Sequence, residues 1–204
     1  MPRRTTLVGL AVALALIAIV AGKLSYVMLA ERSPTFLSTD ISGAGWGRAL
    51  ELNGHDGRRH TLADFKGKVV VVFFGFARCP DVCPTTLSEL RRVMDGLGED
   101  AAHVQVLFVT LDPERDTRQV LAQYVPAFHP RFLGLYGDAG ETERVAREFK
   151  VYVARVQARA PGEYTLDHTA ASYVFDPEGH LRLYVRDEEL ANLTTDIRTL
   201  LGRR

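Results

Sequence analysis

Residues 69–94 read VVVVFFGFARCPDVCPTTLSELRRVM and join an apolar run, a two-cysteine loop and an amphipathic run. Val69 to Gly75 carries no charge, the pattern of a strand buried on both faces inside a parallel sheet. Leu87, Leu90, Met94 and Leu97 recur at helical spacing, with Glu89, Arg91 and Arg92 on the opposite face. Between them lie Cys79 and Cys83, the only two cysteines of the chain. Pro84 suits a first helical turn, where its missing N–H costs nothing, which predicts Cys83 at the helix N-cap. Thiolate is the reactive and metal-binding form of cysteine, and the positive end of a helix dipole favours it. So short a spacing closes too small a ring to staple much chain, so an inert disulfide is the weaker reading. Redox or metal chemistry is the stronger one.

Working outward, Val104 to Leu111 repeats the buried-strand pattern, and a helix is expected from Thr117 to Val125. Phe132 to Tyr136 and Val151 to Val156 read as strands, with an amphipathic helix over Glu141 to Phe149 between them. Ser172 to Asp176 and Leu181 to Arg186 form a hairpin across Pro177-Glu178-Gly179, and Glu188 to Leu201 a closing helix. Upstream, Arg48 to Asn53 and His60 to Asp64 flank the turn signal Gly54-His55-Asp56-Gly57. The expected fold class is α/β: a thioredoxin-like fold with an extra N-terminal β-hairpin.

A chain of 204 residues accommodates one such domain plus an appendage. The appendage is N-terminal. Leu7 to Gly22 has no charged residue, Lys23 interrupts, and Leu24 to Ala30 continues mostly apolar. A membrane-spanning helix needs about 20 residues, and Lys23 can snorkel to the interface. Arg3 and Arg4 place the N-terminus in the cytoplasm and the domain on the periplasmic, or equivalent exported, side. A cleaved signal peptide ending near Ala18, Ala21 or Gly22 is the rival, disfavoured by the length of the apolar run. No cysteine lies near this segment, which argues against a lipid anchor. The expected organisation is a membrane anchor over 1–30, a linker over 31–47 and the domain over 48–204. An exported domain meets an oxidising compartment, where Cys79 and Cys83 pair unless a metal or reductant intervenes. Zero net charge with scattered basic residues points away from nucleic acid.

Six histidines are available: His55, His60, His103, His129, His168 and His180. Most sit beside turns, where a solvated histidine is ordinary. His168 instead precedes the Ser172 strand, in a loop that faces the cysteines in a thioredoxin-like fold. A redox enzyme carries a cis-proline there. Two thiolates and an imidazole suit copper(I), whereas zinc would want a fourth ligand. The competing reading is a histidine that only hydrogen-bonds a loop carbonyl.

The segments FGFARCPDVCP, LDPERDT and DHT, in this order and spacing, resemble the Sco/SenC family of copper-delivery proteins for cytochrome c oxidase. The resemblance spans about residues 45–201. It implies copper as the bound ion, with Cys79, Cys83 and His168 as its ligands, and an N-terminal helical anchor. Arg78 stands where many relatives have histidine. Asp112, before Pro113, is expected to cap a helix, and Asp81 and Asp167 to tune the ligands beside them. The implied function is a membrane-anchored chaperone that passes copper to the oxidase subunit bearing the binuclear copper centre. Other copper chaperones and thiol reductants are further implied partners. The alternative is a thiol–disulfide reductase keeping that centre's cysteines reduced, with Cys79 attacking and Cys83 resolving. Beyond such exchange no enzymatic activity is expected. A peroxide-reducing enzyme finds little support, because P-x-x-x-T-x-x-C is missing.

Overall fold

The computed structural model describes residues 14–25, 34–157 and 163–203. The chain divides into two units, 1–35 and 36–204. In the first, residues 14–25 form a helix (α1) whose residues are all exposed. Half of the expected anchor, Leu7 to Ala30, lies outside the described residues. Among those described, no helix is long and apolar enough to cross a membrane.

The second unit is built around Val69–Gly75 (β4), buried along its whole length. It pairs in parallel with Val104–Thr110 (β5) and antiparallel with Ala171–Phe175 (β9). Leu133–Tyr136 (β6) extends the parallel side, and Leu181–Arg186 (β10) pairs with β9 as the expected hairpin. Glu51–Gly54 (β2) and Arg59–Thr61 (β3) form the N-terminal hairpin, attached to β6 through β2. Thr39–Asp40 (β1) closes the opposite edge, giving the order β1-β10-β9-β4-β5-β6-β2-β3.

Successive β4 side chains feed two cores, as strand alternation requires. Val69, Val71 and Phe73 pack with Leu87, Leu90 and Met94 of Val82–Leu97 (α2) and with Leu193 and Ile197 of Leu193–Leu200 (α5). Arg118–Tyr124 (α3) adds Leu121 on that side. Val70, Val72 and Phe74 face the other core, with Val145 of Ala139–Glu148 (α4), Phe149 and Tyr173. Each buried Val or Phe contributes about 1.5–3 kcal/mol, so β4 is the strand whose loss the fold tolerates least. This mixed sheet with helices on both faces is the expected α/β arrangement.

Four expectations are corrected. Val153–Gln157 (β7) is joined by an unforeseen strand, Tyr164–His168 (β8), in a separate two-stranded sheet. His168 therefore ends a strand. Helix α2 starts at Val82 with Asp81 at the N-cap, so Cys83 lies within the first turn. The Cys83 N–H donates to the Cys79 sulfur (3.4 Å), which does the work of a capping oxygen. Asp112 caps no helix: α3 begins later, with Thr117 accepting from the Val120 N–H. The Asp112 carboxylate is instead occupied by Arg115 and by the Tyr164 hydroxyl. Finally, much of the expected linker is bound to the domain. The buried Asp196 carboxylate accepts from the Leu37 and Ser38 N–H groups (2.8 and 2.9 Å), and Trp46 meets Tyr173 edge-on.

Candidate metal centre

The loop after β4, the first turn of α2 and the end of β8 converge. They bring the ligand atoms of Cys79, Cys83 and His168 within 4.8 Å of one another. Among the described residues this is the one such group of metal-ligating side chains. The Cys83 sulfur, fully buried, lies 3.4 Å from His168 Nε2. Both cysteines are free, and Cys79 is half-buried. A trigonal metal with bonds of about 2.0–2.3 Å spaces its ligand atoms about 4 Å apart, so only small displacements separate this set from coordination.

One hydrogen bond decides the histidine's chemistry. His168 Nδ1 lies 2.9 Å from the Thr169 carbonyl oxygen. A carbonyl only accepts, so Nδ1 carries the proton and Nε2, facing Cys83, is left with a lone pair in the neutral ring. The ring edge meets Phe76 at 5.9 Å and Phe73 at 6.4 Å between centroids, which keeps this side apolar. Burial disfavours an imidazolium here, but the hydrogen bonds to Cys79 and the Thr169 carbonyl outweigh it and raise the His168 pKa.

The two sulfurs are pushed apart. Hydrogen bonding from Cys83 leads the causes that lower Cys79, against burial, to about 4, with His168 and the N–H groups of Cys83 and Asp81 assisting. The same contact, with burial, raises Cys83. At neutral pH the pair holds one thiolate, on the half-exposed Cys79, and one thiol, on the buried Cys83. Asp81 thus acts through its backbone N–H, and Asp167, next in sequence to His168, adds a charge that favours the His168 imidazolium. Arg78 is exposed.

The other histidines lie elsewhere in local roles. His55 Nδ1 accepts from the Gly134 N–H (2.9 Å), His60 pairs with Asp56 (3.0 Å), and His129 Nδ1 accepts from the Arg131 N–H (3.2 Å). His180 lies beside Asp176, and His103 ends a short 3-10 turn.

Two supports escaped the sequence reading. Asp116, almost wholly buried, accepts from the Ala77 N–H (2.9 Å) and the Thr110 hydroxyl (2.7 Å), which fixes the entry to the cysteine loop. Its spacing from Asp112 is visible in LDPERDT, but nothing local says which segment it reaches. Gly75 is the second. A Cβ there would come within 2.8 Å of the Cys83 sulfur and 3.0 Å of Phe108. Gly75→Ala is expected to destabilise the domain by about 1–3 kcal/mol, the usual overpacking cost, and to displace Cys83. Urea unfolding and alkylation of Cys83 check this; wild-type values for both would show that the sulfur has room to move.

The family model SCO1/SenC matches residues 39–202. The chain is 40% identical over 149 residues to the Bos taurus protein SCO2 homolog, mitochondrial, covering 72% of this chain and 56% of that one. It is 34% identical over 159 residues to the Homo sapiens protein SCO1 homolog, mitochondrial, covering 74% and 53%. The chain spans about half the length of the curated relatives it matches. Among solved structures, apo Sco1 from Thermus thermophilus superposes with a TM-score of 0.72 at 40% identity, covering 83% of this chain and 99% of that one. Bradyrhizobium japonicum ScoI with copper bound gives 0.67 at 35% identity, covering 73% and 95%.

Proposed function

Because the chain belongs to the SCO1/SenC family, we propose that it binds one copper ion through Cys79, Cys83 and His168 and delivers it to the binuclear copper centre of cytochrome c oxidase. The observation that carries this reading is the convergence of two sulfurs with an imidazole nitrogen whose lone pair faces them. Soft sulfur donors with one imidazole suit a three-coordinate copper(I), whereas zinc on the same three donors would want a fourth ligand. Copper is cargo here. The chain's residues supply one ready thiolate, a thiol that must lose its proton on loading, and an imidazole that Thr169 holds with Nε2 toward the sulfurs. A partner's thiolates reach the site from the side of Cys79, the more exposed sulfur.

The test compares copper(I) titration of the dithiol and disulfide forms. One equivalent is expected on the dithiol and none at this site on the disulfide, which offers no thiolate. Equal binding by both forms would put the metal elsewhere.

A specific observation favours a second activity at the same residues. A low-pKa, half-exposed Cys79 beside a protonated, buried Cys83 is the arrangement of a thiol reductase. The Cys79 thiolate would attack a partner disulfide and release one partner thiolate. Cys83, giving up its proton, would then attack the Cys79 sulfur, form the internal disulfide and free the second partner sulfur. Cys83→Ser should trap the mixed disulfide through Cys79 if this occurs.

The long apolar stretch after Arg3 and Arg4 supports a single-pass anchor with the domain on the exported side. Under carbonate extraction the full chain is expected to stay with the membrane. A mature form beginning near residue 23 would identify the stretch as a cleaved signal.

A further inference from the structure

The β7–β8 hairpin that carries His168 pairs with no other strand among those described. Beyond the short covalent link from His168 to β9, its registration against the cysteines therefore depends on side chains. Leu166 supplies the apolar contact, packing at the margin of both cores. The polar contact is made at the far end of the hairpin, through Tyr164. Its hydroxyl donates to Asp112 Oδ1 (2.7 Å), and its ring lies between the guanidinium groups of Arg115 and Arg155, 3.6 and 3.9 Å from its centroid. Arg115 binds both Asp112 and the Tyr164 carbonyl (2.9 Å), while Arg155 reaches Glu114 (2.8 Å). All of Asp112, Glu114 and Arg115 belong to the loop after β5. The same loop's Asp116 holds the Ala77 N–H, two residues before Cys79, and Thr110 links the two grips by accepting from the Asp112 N–H and donating to Asp116.

Resting on the reading of His168 as the third ligand, we infer that the 112–116 loop is a brace that sets the distance between the two ligand-bearing segments, and that Tyr164 is the residue through which it positions His168. Nothing else in the site explains why a half-exposed tyrosine should be held by two arginines and a buried carboxylate. The four residue-to-residue steps from Tyr164 to His168 span about 13 Å of strand, so Tyr164 touches no ligand. It acts by fixing the tilt of the strand that bears one.

The test is a double-mutant cycle on copper(I) affinity, read by competition with a copper(I) chelator on the reduced full chain. Orienting groups around metal ligands typically contribute 10–100-fold. Tyr164→Ala is expected near the lower end, about tenfold, because His168 stands at the base of the hairpin, where a tilt moves it least. Tyr164→Phe, which keeps the ring between the arginines, should lose less. In a His168→Ala background, Tyr164→Ala should cost nothing further, since the ligand it positions is gone. Equal losses in both backgrounds would mean that Tyr164 supports the fold or the cysteines, and the inference would be wrong. Unchanged affinity in Tyr164→Ala would also overturn it. Unchanged affinity in His168→Ala itself would overturn the ligand reading on which it rests, a separate and recognisable result. Alkylation of Cys79 at the wild-type rate in Tyr164→Ala and Tyr164→Phe shows that the cysteine loop is intact in them.

Discussion

Alanine in place of His168 is expected to weaken copper(I) binding by more than about a hundredfold, since groups that merely orient a ligand already contribute 10–100-fold. The two sulfurs would remain, and so would their chemistry. Cys83 provides the larger part of the stabilisation of the Cys79 thiolate, with His168 a smaller contributor. The variant should therefore still alkylate readily at neutral pH and still form and open the Cys79–Cys83 disulfide. Chelator competition together with alkylation kinetics separates the two properties. A His168→Ala protein that keeps wild-type copper affinity, or that matures the oxidase at the wild-type rate, would sink the delivery reading and leave thiol exchange as the function.

Copper affinity should also fall with acid in two stages whose slopes count protons. Cys79, lowered to about 4, is already a thiolate across the neutral range. Cys83 is raised and holds its proton, so loading the site displaces one proton even at mildly alkaline pH. Affinity then drops about tenfold for each unit of pH lost. His168 is raised above its ordinary 6.5, so the second stage begins above that value. Below it a second proton must leave, and the fall steepens to about a hundredfold per unit. His168→Ala should abolish the steeper limb and keep the shallower one. Affinity independent of pH between about 7 and about 9 would show that loading displaces no proton from Cys83, against the raised thiol on which this expectation rests.

What the sequence disclosed and what it hid divide along the range of the contacts involved. The strand-loop-helix of residues 69–97 was legible because its burial is written in local runs: β4 is buried at every residue, and α2 buries Leu87, Leu90 and Met94 on one face. Strand β8 was not, since Tyr164 to His168 are mostly half-buried and show no alternation. The polar contacts that hold the hairpin are arginine stacking and the carboxylates of Asp112 and Glu114, which leave no pattern in a local window. Leu37 and Ser38 looked like linker for the same reason, because their partner Asp196 is some 160 positions away. Cys79 and Cys83 stood out by being the only cysteines, and His168 by its place before β9. The proton on Nδ1 was beyond reach, because it is fixed by which way the Thr169 carbonyl points.

The pairing of β4 has a consequence for the order of events in synthesis. Its parallel neighbour β5 follows closely, but its antiparallel neighbour β9 aligns Phe175 with Val70 and Ser172 with Phe73, from near the opposite end of the chain. Contacts so distant in sequence form late and slowly. His168 follows Cys83 by 85 residues, which at 5–20 residues per second is a delay of roughly 4 to 17 s. Through that interval both thiols exist without the imidazole, beside a strand with one edge unpaired. An oxidant met then finds a nascent dithiol with no competing metal site, so a newly made molecule can enter service as the disulfide. Its first encounter would have to be with a reductant, and only its second with copper.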